Sequence, residues 1–256
     1  MNLQIISDFH EEHHGHDIAP YINKDADIVI LAGDISTGTT GVSLALDSAE
    51  LHPSITHVVV FGNHELYDLD YAEYLALVNM WNDLAPNLHF LENRSISLEN
   101  GIEIFGGIGW SNLNTPNHKE LHERVQDFSA IDYYGKPVTI EDFRHFNNEY
   151  WSNAQKWFKT STGKTKILVS HFPQSTALKH KQYEKNDLDY YFCADRDLEI
   201  KEAGEHGVSL MVSGHTHDSF STSIQGVRQE SRQVGYPFES NDALDAVGGL
   251  NSMIVI

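Results

Sequence analysis

Short apolar runs alternate with longer polar stretches along this chain. Leu3, Ile5 and Ile6 form the first run, and residues 27–32 (Asp-Ile-Val-Ile-Leu-Ala) the second. Residues 57–61, 166–169 and 208–212 form three more. All are short, rich in β-branched residues and bounded by Gly, Asp or Ser, which predicts buried strands. Residues 40–51 and 69–84 have helical patterns. In the second, Tyr71, Tyr74, Leu75, Val78 and Trp81 recur at three- and four-residue spacing, which predicts an apolar stripe facing a core.

Two hairpins are signalled. Residues 95–106 alternate around Glu99-Asn100-Gly101, and Asn-Gly between alternating apolar positions favours a tight turn. Residues 219–227 turn near Gln225-Gly226. Residues 111–140 are polar and contain Pro116 and Pro137, which predicts an irregular excursion, followed by a helix over about 139–160. Residues 252–256 are strand-like. No repeat, charge block or low-complexity linker interrupts the pattern. The expected fold class is α/β, one domain over residues 1–256 with a substrate-side excursion at about 110–150.

Composition narrows what such a domain does. The chain has 256 residues, with 37 Asp+Glu against 17 Lys+Arg, a formal net charge of -20. That acidity argues against nucleic acid as a partner, because phosphate backbones select clustered Lys and Arg. It leaves room for a small phosphorylated substrate if bound cations supply positive charge. The longest apolar runs fall far short of the roughly 18 residues that a membrane span needs. The N-terminus lacks the basic and apolar regions of a secretory signal, so a cytoplasmic location without membrane attachment is expected. A single cysteine, Cys193, builds neither a disulfide nor a thiolate cluster and is expected to be a small buried residue. The 16 histidines are the unusual feature.

Their positions matter more than their number. The first apolar run ends in Ser7-Asp8-Phe9-His10, the second in Gly33-Asp34, and the third in Gly62-Asn63-His64-Glu65. Later runs end in Ser170-His171 and in Gly214-His215-Thr216-His217. Sites in open α/β sheets lie beyond the carboxyl ends of the strands, so these residues would meet at one rim. Aspartate oxygen, amide oxygen and imidazole nitrogen suit metals such as Zn, Mn or Fe. Residues two apart on an extended segment point the same way, which pairs Asp8 with His10 and His215 with His217. Gly33, Gly62 and Gly214 would let the backbone turn sharply and come close to the ions.

Taken together, Asp8-x-His10, Gly33-Asp34, Gly62-Asn63-His64-Glu65, His171 and Gly214-His215-x-His217 resemble the signature of the calcineurin-like metallophosphoesterases. The resemblance covers residues 8–217. It implies two packed mixed β-sheets flanked by helices, a four-layer αββα sandwich with a dinuclear metal centre on its rim. Asp8, His10 and His217 would hold one metal, and Asn63, His171 and His215 the other. Asp34 would bridge both, and His64 would be catalytic, meeting the phosphate or the leaving oxygen. The ions would be divalent or mixed-valence, with Mn, Fe or Zn as candidates. Two divalent ions would bring four positive charges against the two negative charges of Asp8 and Asp34 and so attract phosphate. The implied reaction is phosphoester hydrolysis, with metal-activated hydroxide attacking phosphorus.

Some features depart from relatives. Gly33-Asp34 continues as Ile35-Ser36-Thr37-Gly38, without the Asp-Arg-Gly that marks protein serine/threonine phosphatases. Residues 214–220 resemble small bacterial phosphoesterases, but the Asn-Pro-Arg-Gly-Tyr that follows there is here Arg232-Gln-Val-Gly-Tyr236. A nuclease, a cyclic-nucleotide phosphodiesterase and a non-catalytic scaffold are the alternatives on this fold. His13, His14 and His16 are expected on an exposed loop, with His13 or His14 near the pocket mouth. His52, His57, His89, His118, His122, His145, His180 and His206 are expected at the surface or as satisfied core residues, and residues 179–185 in a solvated segment. In the excursion, Asn112, Tyr133 and Tyr134 are candidate substrate contacts by position.

Overall fold

The computed structural model describes residues 1–67, 69–114, 118–180, 188–239 and 252–256. The predicted runs are strands, and among the described residues the strands form two sheets. The first contains β1 (Asn2–Ile6), β2 (Ile28–Ala32), β3 (Thr56–Val60), β4 (Leu88–Phe90) and β11 (Met253–Val255), in the order β11-β1-β2-β3-β4. Strands β1 to β4 run parallel, and β11 is antiparallel to β1. The second contains β5 (Arg94–Ser97), β6 (Ile102–Gly107), β7 (Thr165–Ser170), β8 (Val208–Val212), β9 (Phe220–Ile224) and β10 (Val227–Ser231), in the order β5-β6-β7-β8-β10-β9. Both expected hairpins are present, β5–β6 and β9–β10. Their turns use positive φ at Asn100 and Gly101 and at Gln225 and Gly226.

The parity of each strand explains the layering. Leu3, Ile5, Ile28, Ile30, Val58 and Val60 point one way and meet Ile104, Ile167, Val169, Leu210 and Val212 of the other sheet. This aliphatic layer lies between the sheets. Opposite parity on the first sheet (Ile6, Val29, Leu31 and Val59) packs with residues of α2 (Thr40–Leu51) and α3 (Tyr71–Trp81). Opposite parity on the second sheet (Phe105, Leu168 and Met211) packs with α6 (Ile140–Thr160) and α8 (Asp197–Glu205). The strands alternate yet read as continuous apolar runs because both faces are covered. Each fully buried aliphatic side chain contributes about 1.5–3 kcal/mol relative to exposure.

Helix α6 starts at a capping box. Thr139 Oγ1 accepts from the Asp142 amide, and the Asp142 carboxylate accepts from the Thr139 amide. Its apolar stripe begins with Ile140, Phe143 and Phe146, which join the first sheet's outer core. It continues as Tyr150, Trp151, Trp157 and Phe158 over the second sheet. The helix thereby fastens the excursion to both layers. Within the excursion are two short helices, α4 (His118–Arg124) and α5 (Asp127–Ala130). In α3 the expected stripe holds for Tyr71, Tyr74 and Val78, but Leu75 is exposed. Its position is one beyond Tyr74, so it turns off the buried face. His13 and His14 sit on a helical turn, α1 (Glu11–His14), rather than a loop.

His57 is a satisfied core histidine. Its Nε2 lies 3.0 Å from Ser48 Oγ, and its Nδ1 donates to the Ile55 carbonyl at 3.0 Å. Burial pushes its imidazole down to about 4. The unfolded imidazole titrates near 6.5, so the unfolded chain binds more protons between those values. Stability from this residue is therefore full above pH 6.5 and is lost as pH falls towards 4, by about 3 kcal/mol at most. Denaturant titrations of wild type and His57→Gln from pH 7 to 4 should show a narrowing stability difference. A constant difference would show that His57 does not titrate on unfolding.

Candidate functional site

Every expected metal ligand, and the expected catalytic His64, lies just beyond a strand's carboxyl end. Asp8 and His10 follow β1, Asp34 follows β2, and Asn63 and His64 follow β3. His171 follows β7, and His215 and His217 follow β8. The first five come from one sheet and the last three from the other. Asp8, His10, Asp34, His215 and His217 all have left-handed backbone, with φ of 52°, 48°, 52°, 72° and 53°. Such a conformation costs a non-glycine residue on the order of 1–3 kcal/mol and collects at functional sites. Two glycines have distinct roles. Gly33 has φ of 88°, and a Cβ there would meet His171 Nδ1 at 2.5 Å. A Cβ on Gly62 would fall 2.1 Å from Asp34 Oδ1.

The side chains converge in overlapping clusters. Asp8, His10 and His217 form one, and Asp34, His171 and His215 another, each with ligand atoms within 4.8 Å of one another. A third cluster, His10, Asp34 and His64, links them. Asp34 Oδ2 stands between the sets, 3.2 Å from His171 Nε2 and 3.9 Å from His10 Nε2. Asn63 Oδ1 is 3.2 Å from His171 Nε2, which adds the amide to the second set. His10 Nε2 and His217 Nε2 are 3.1 Å apart. Metal–nitrogen bonds near 2.0–2.1 Å place two ligands of one ion about 3–3.4 Å apart, so this spacing fits a shared ion.

Two further observations bear on whether these residues suit a metal. His215 Nε2 is buried without a hydrogen-bond partner among the described residues, although buried imidazole nitrogens are normally paired. His171 Nδ1 donates to the Ala32 carbonyl at 2.9 Å, which aims its Nε2 at Asp34 and Asn63. His10 Nδ1 and His217 Nδ1 likewise face carboxylates, Glu12 and Glu239, at 2.9 and 2.6 Å. Outer carboxylates and carbonyls of this kind orient metal-binding histidines. The donor set fits a metal.

Charge reinforces the arrangement. Burial disfavours ionised Asp34, but His171 and the neighbouring imidazoles hold its carboxyl well below the usual range. Burial would lower His64, yet Asp34 and Glu12 carry it up to about 9. Burial and the adjacent His171 push His215 well below the ordinary histidine value.

Several residues with no role assigned from the sequence support the site. Glu65 accepts from the backbone amides of Asp34, Ile35 and Gly62, which ties the ends of β2 and β3 together. Asp127 accepts from Asn63 Nδ2, Tyr67 OH and Tyr191 OH at 3.1, 2.7 and 2.8 Å. Holding the Asn63 amide nitrogen turns its carbonyl oxygen towards His171. Gln233 accepts from the His217 amide. Asp8 accepts from the His215 amide at 2.9 Å and so joins the two sheets.

The site forms the floor of a cleft of about 730 Å³. Asp34, Asn63, His64, His215 and His217 line it, and the excursion contributes Arg124, Val125, Gln126 and Asp127. These are not the residues of the segment that position alone singled out. Asn112 is bonded to the backbone of Asp195, Tyr133 packs on Tyr71 and Phe146, and Tyr134 is exposed. None of the three lines the cleft. His13 does, as does Tyr236, whose ring lies 4.5 Å from that of His10. Lys179 and His180 also line the cleft, with Lys179 paired to Asp189 at 2.8 Å. The remainder of the basic stretch, 181–185, lies outside the described residues. Cys193 is buried, as expected, and burial raises its thiol well above its ordinary value. No helix among the described residues is long and apolar enough to cross a membrane.

No curated protein matches the chain. Phosphopantetheinyl hydrolase from Mycobacterium tuberculosis superposes with a TM-score of 0.72 at 20% identity, over 93% of this chain and 90% of that one. The protein TT1561 of Thermus thermophilus does so with a TM-score of 0.54 at 13% identity, over 92% and 89%. These likenesses establish the fold. The calcineurin-like phosphoesterase family matches residues 1–219. With that match and the clustered ligands, the chain belongs to the calcineurin-like phosphoesterase family and is a metal-dependent phosphoester hydrolase.

Proposed function

We propose that the site is dinuclear and hydrolyses a small organic phosphoester. The observation that carries this reading is the pair of ligand clusters meeting at Asp34 Oδ2 on the floor of a cleft. Asp8, His10 and His217 would hold one ion, Asn63, His171 and His215 the other, and Asp34 would serve both. When bound, two such ions would supply Lewis acidity and positive charge for the phosphoryl group.

The protein's own groups do the rest. Glu12, Glu239 and the Ala32 carbonyl fix the imidazoles so that Nε2 of each faces the centre. Asp127 fixes Asn63 in the same way. His64 lines the cleft but has its Nδ1 committed to Glu12, so its Nε2 is the atom available to a substrate. As a hydroxide oxygen bonds to phosphorus and the ester P–O bond breaks, His64 gives its Nε2 proton to the leaving oxygen. The bond's electron pair becomes the new O–H bond. A cleft of this size exceeds what phosphate alone fills and falls within the usual range for organic ligands. Val125, Tyr191 and Phe192 give its wall apolar surface for the alcohol portion.

The test is a panel of aryl phosphate, bis-aryl phosphate, cyclic nucleotide and single-stranded DNA, with Mn, Fe or Zn. Hydrolysis of an aryl phosphate that disappears with chelator and returns with metal is expected. Full metal occupancy with no turnover on any member would overturn the proposal and favour a scaffold.

A further inference from the structure

One carboxylate stands behind two histidines with different duties. Glu12 Oε1 lies 2.9 Å from His10 Nδ1 and 2.9 Å from His64 Nδ1. The two rings meet edge to face, 4.5 Å between centroids. Glu12 Oε2 is buried and has no hydrogen-bond partner among the described residues. The hydrogen bonding of this side chain is thus spent on the two imidazoles alone.

The backbone sets up this sharing. His10 is left-handed and caps the helical turn that carries Glu12. That turn folds the side chain back beneath its own His10, where His64 reaches it from β3. A carboxylate accepts only, so both Nδ1 atoms carry protons, while His10 Nε2 faces His217 and Asp34 and His64 lines the cleft. Burial opposes the charge on Glu12, but the hydrogen bonds from His10 and His64 hold its carboxyl down at about 2.

We infer that Glu12 is a positioning residue that couples the two: through one oxygen it orients His10 towards the metal and His64 towards the leaving group. The inference rests on the proposed hydrolase reading and goes beyond it. It assigns a role to a residue outside the recognised motifs, and it makes proton delivery and metal geometry depend on the same atom. In the step concerned, a hydroxide oxygen forms a bond to phosphorus as the ester P–O bond breaks, and the His64 Nε2 proton passes to the departing oxygen. His64 becomes neutral and keeps its Nδ1–H on Glu12.

The experiment compares wild type, Glu12→Gln, His64→Asn and the double variant. The substrates are p-nitrophenyl phosphate, whose leaving group needs no proton, and phenyl phosphate, whose leaving group does. Glu12→Gln should lose at least about tenfold more kcat on phenyl than on p-nitrophenyl phosphate, since acid assistance matters only for the poorer leaving group. In the His64→Asn background that extra loss should vanish, as expected for groups acting as a unit. Equal loss on both substrates, or an undiminished effect in that background, would overturn the coupling.

A second readout does not depend on turnover. Histidine side-chain nitrogen spectra of the metal-free protein should show the Nδ1 signals of His10 and His64 moving together in Glu12→Gln. Movement of only one, or of neither, would also overturn it. If metal-loaded wild type hydrolysed neither ester, the hydrolase reading would fall, and the spectra would still decide whether Glu12 holds both rings.

Discussion

Replacing Asp34 with Asn is expected to lower kcat/KM on an aryl phosphate by about 10³-fold or more, because several kcal/mol of metal-derived stabilisation is lost. The same variant should bind less than its full complement of metal. Asp34 Oδ2 is the atom placed between His10 and His171. An amide offers one neutral oxygen where the carboxylate offered two sharing a negative charge. Asparagine is a fair probe in other respects. It tolerates the left-handed backbone at this position. Its side-chain oxygen can still accept from the His64 amide, as Asp34 Oδ1 does at 2.9 Å. Steady-state kinetics and metal content on the same preparation check the expectation. Two bound ions with activity within tenfold of wild type would show that Asp34 is not the shared ligand.

His64→Asn should behave differently. We expect kcat to fall by about 10²–10⁴-fold, the usual contribution of a positioned acid, with metal content unchanged. His64 belongs to one of the three clusters, so its assignment as a non-ligand is open to test. Its Nδ1 points at Glu12, and its Nε2 is 3.4 Å from Tyr236 OH on the cleft side. A residue that protonates the leaving oxygen should matter most for poor leaving groups. Loss of an ion in this variant would instead make His64 a ligand. A uniform loss on all esters with both ions bound would make it a phosphate contact.

The parts of this molecule legible in its sequence share one property: their signal is local. Ile28–Ala32 reads as a strand because five consecutive apolar residues are covered on both faces. Asp34 reads as a site residue because it follows that strand directly. Asn100-Gly101 announces its turn by residue type. By contrast, Asp197–Glu205 buries only Ile200 and Ala203 and leaves Leu198 exposed, so its stripe is too thin to show. Leu88–Phe90 is three residues long, shorter than any period can resolve. The supporting residues of the site were hidden for another reason. Asp127 is 64 positions from Asn63, and nothing around it in the sequence hints at that contact. Glu12 sits in a His- and Glu-rich stretch that looks like a solvated loop. Only the left-handed His10 turns it inward. First contacts with a metal are drawn from strand ends, whose chemistry is visible in sequence. The residues that orient them are chosen by tertiary packing, which is not.

The two proposed metal-holding sets each draw on both sheets. Asp8 and His10 come from the first and His217 from the second. Asp34 and Asn63 come from the first and His171 and His215 from the second. An ion held in either cluster is therefore a cross-link between two layers whose inner faces meet through aliphatic side chains. A ligand present at about a thousand times its dissociation constant stabilises the folded state by about 4 kcal/mol. Scavenging the metal would thus loosen the sandwich as well as silence it, and the same ions would act as cofactor and as rivet.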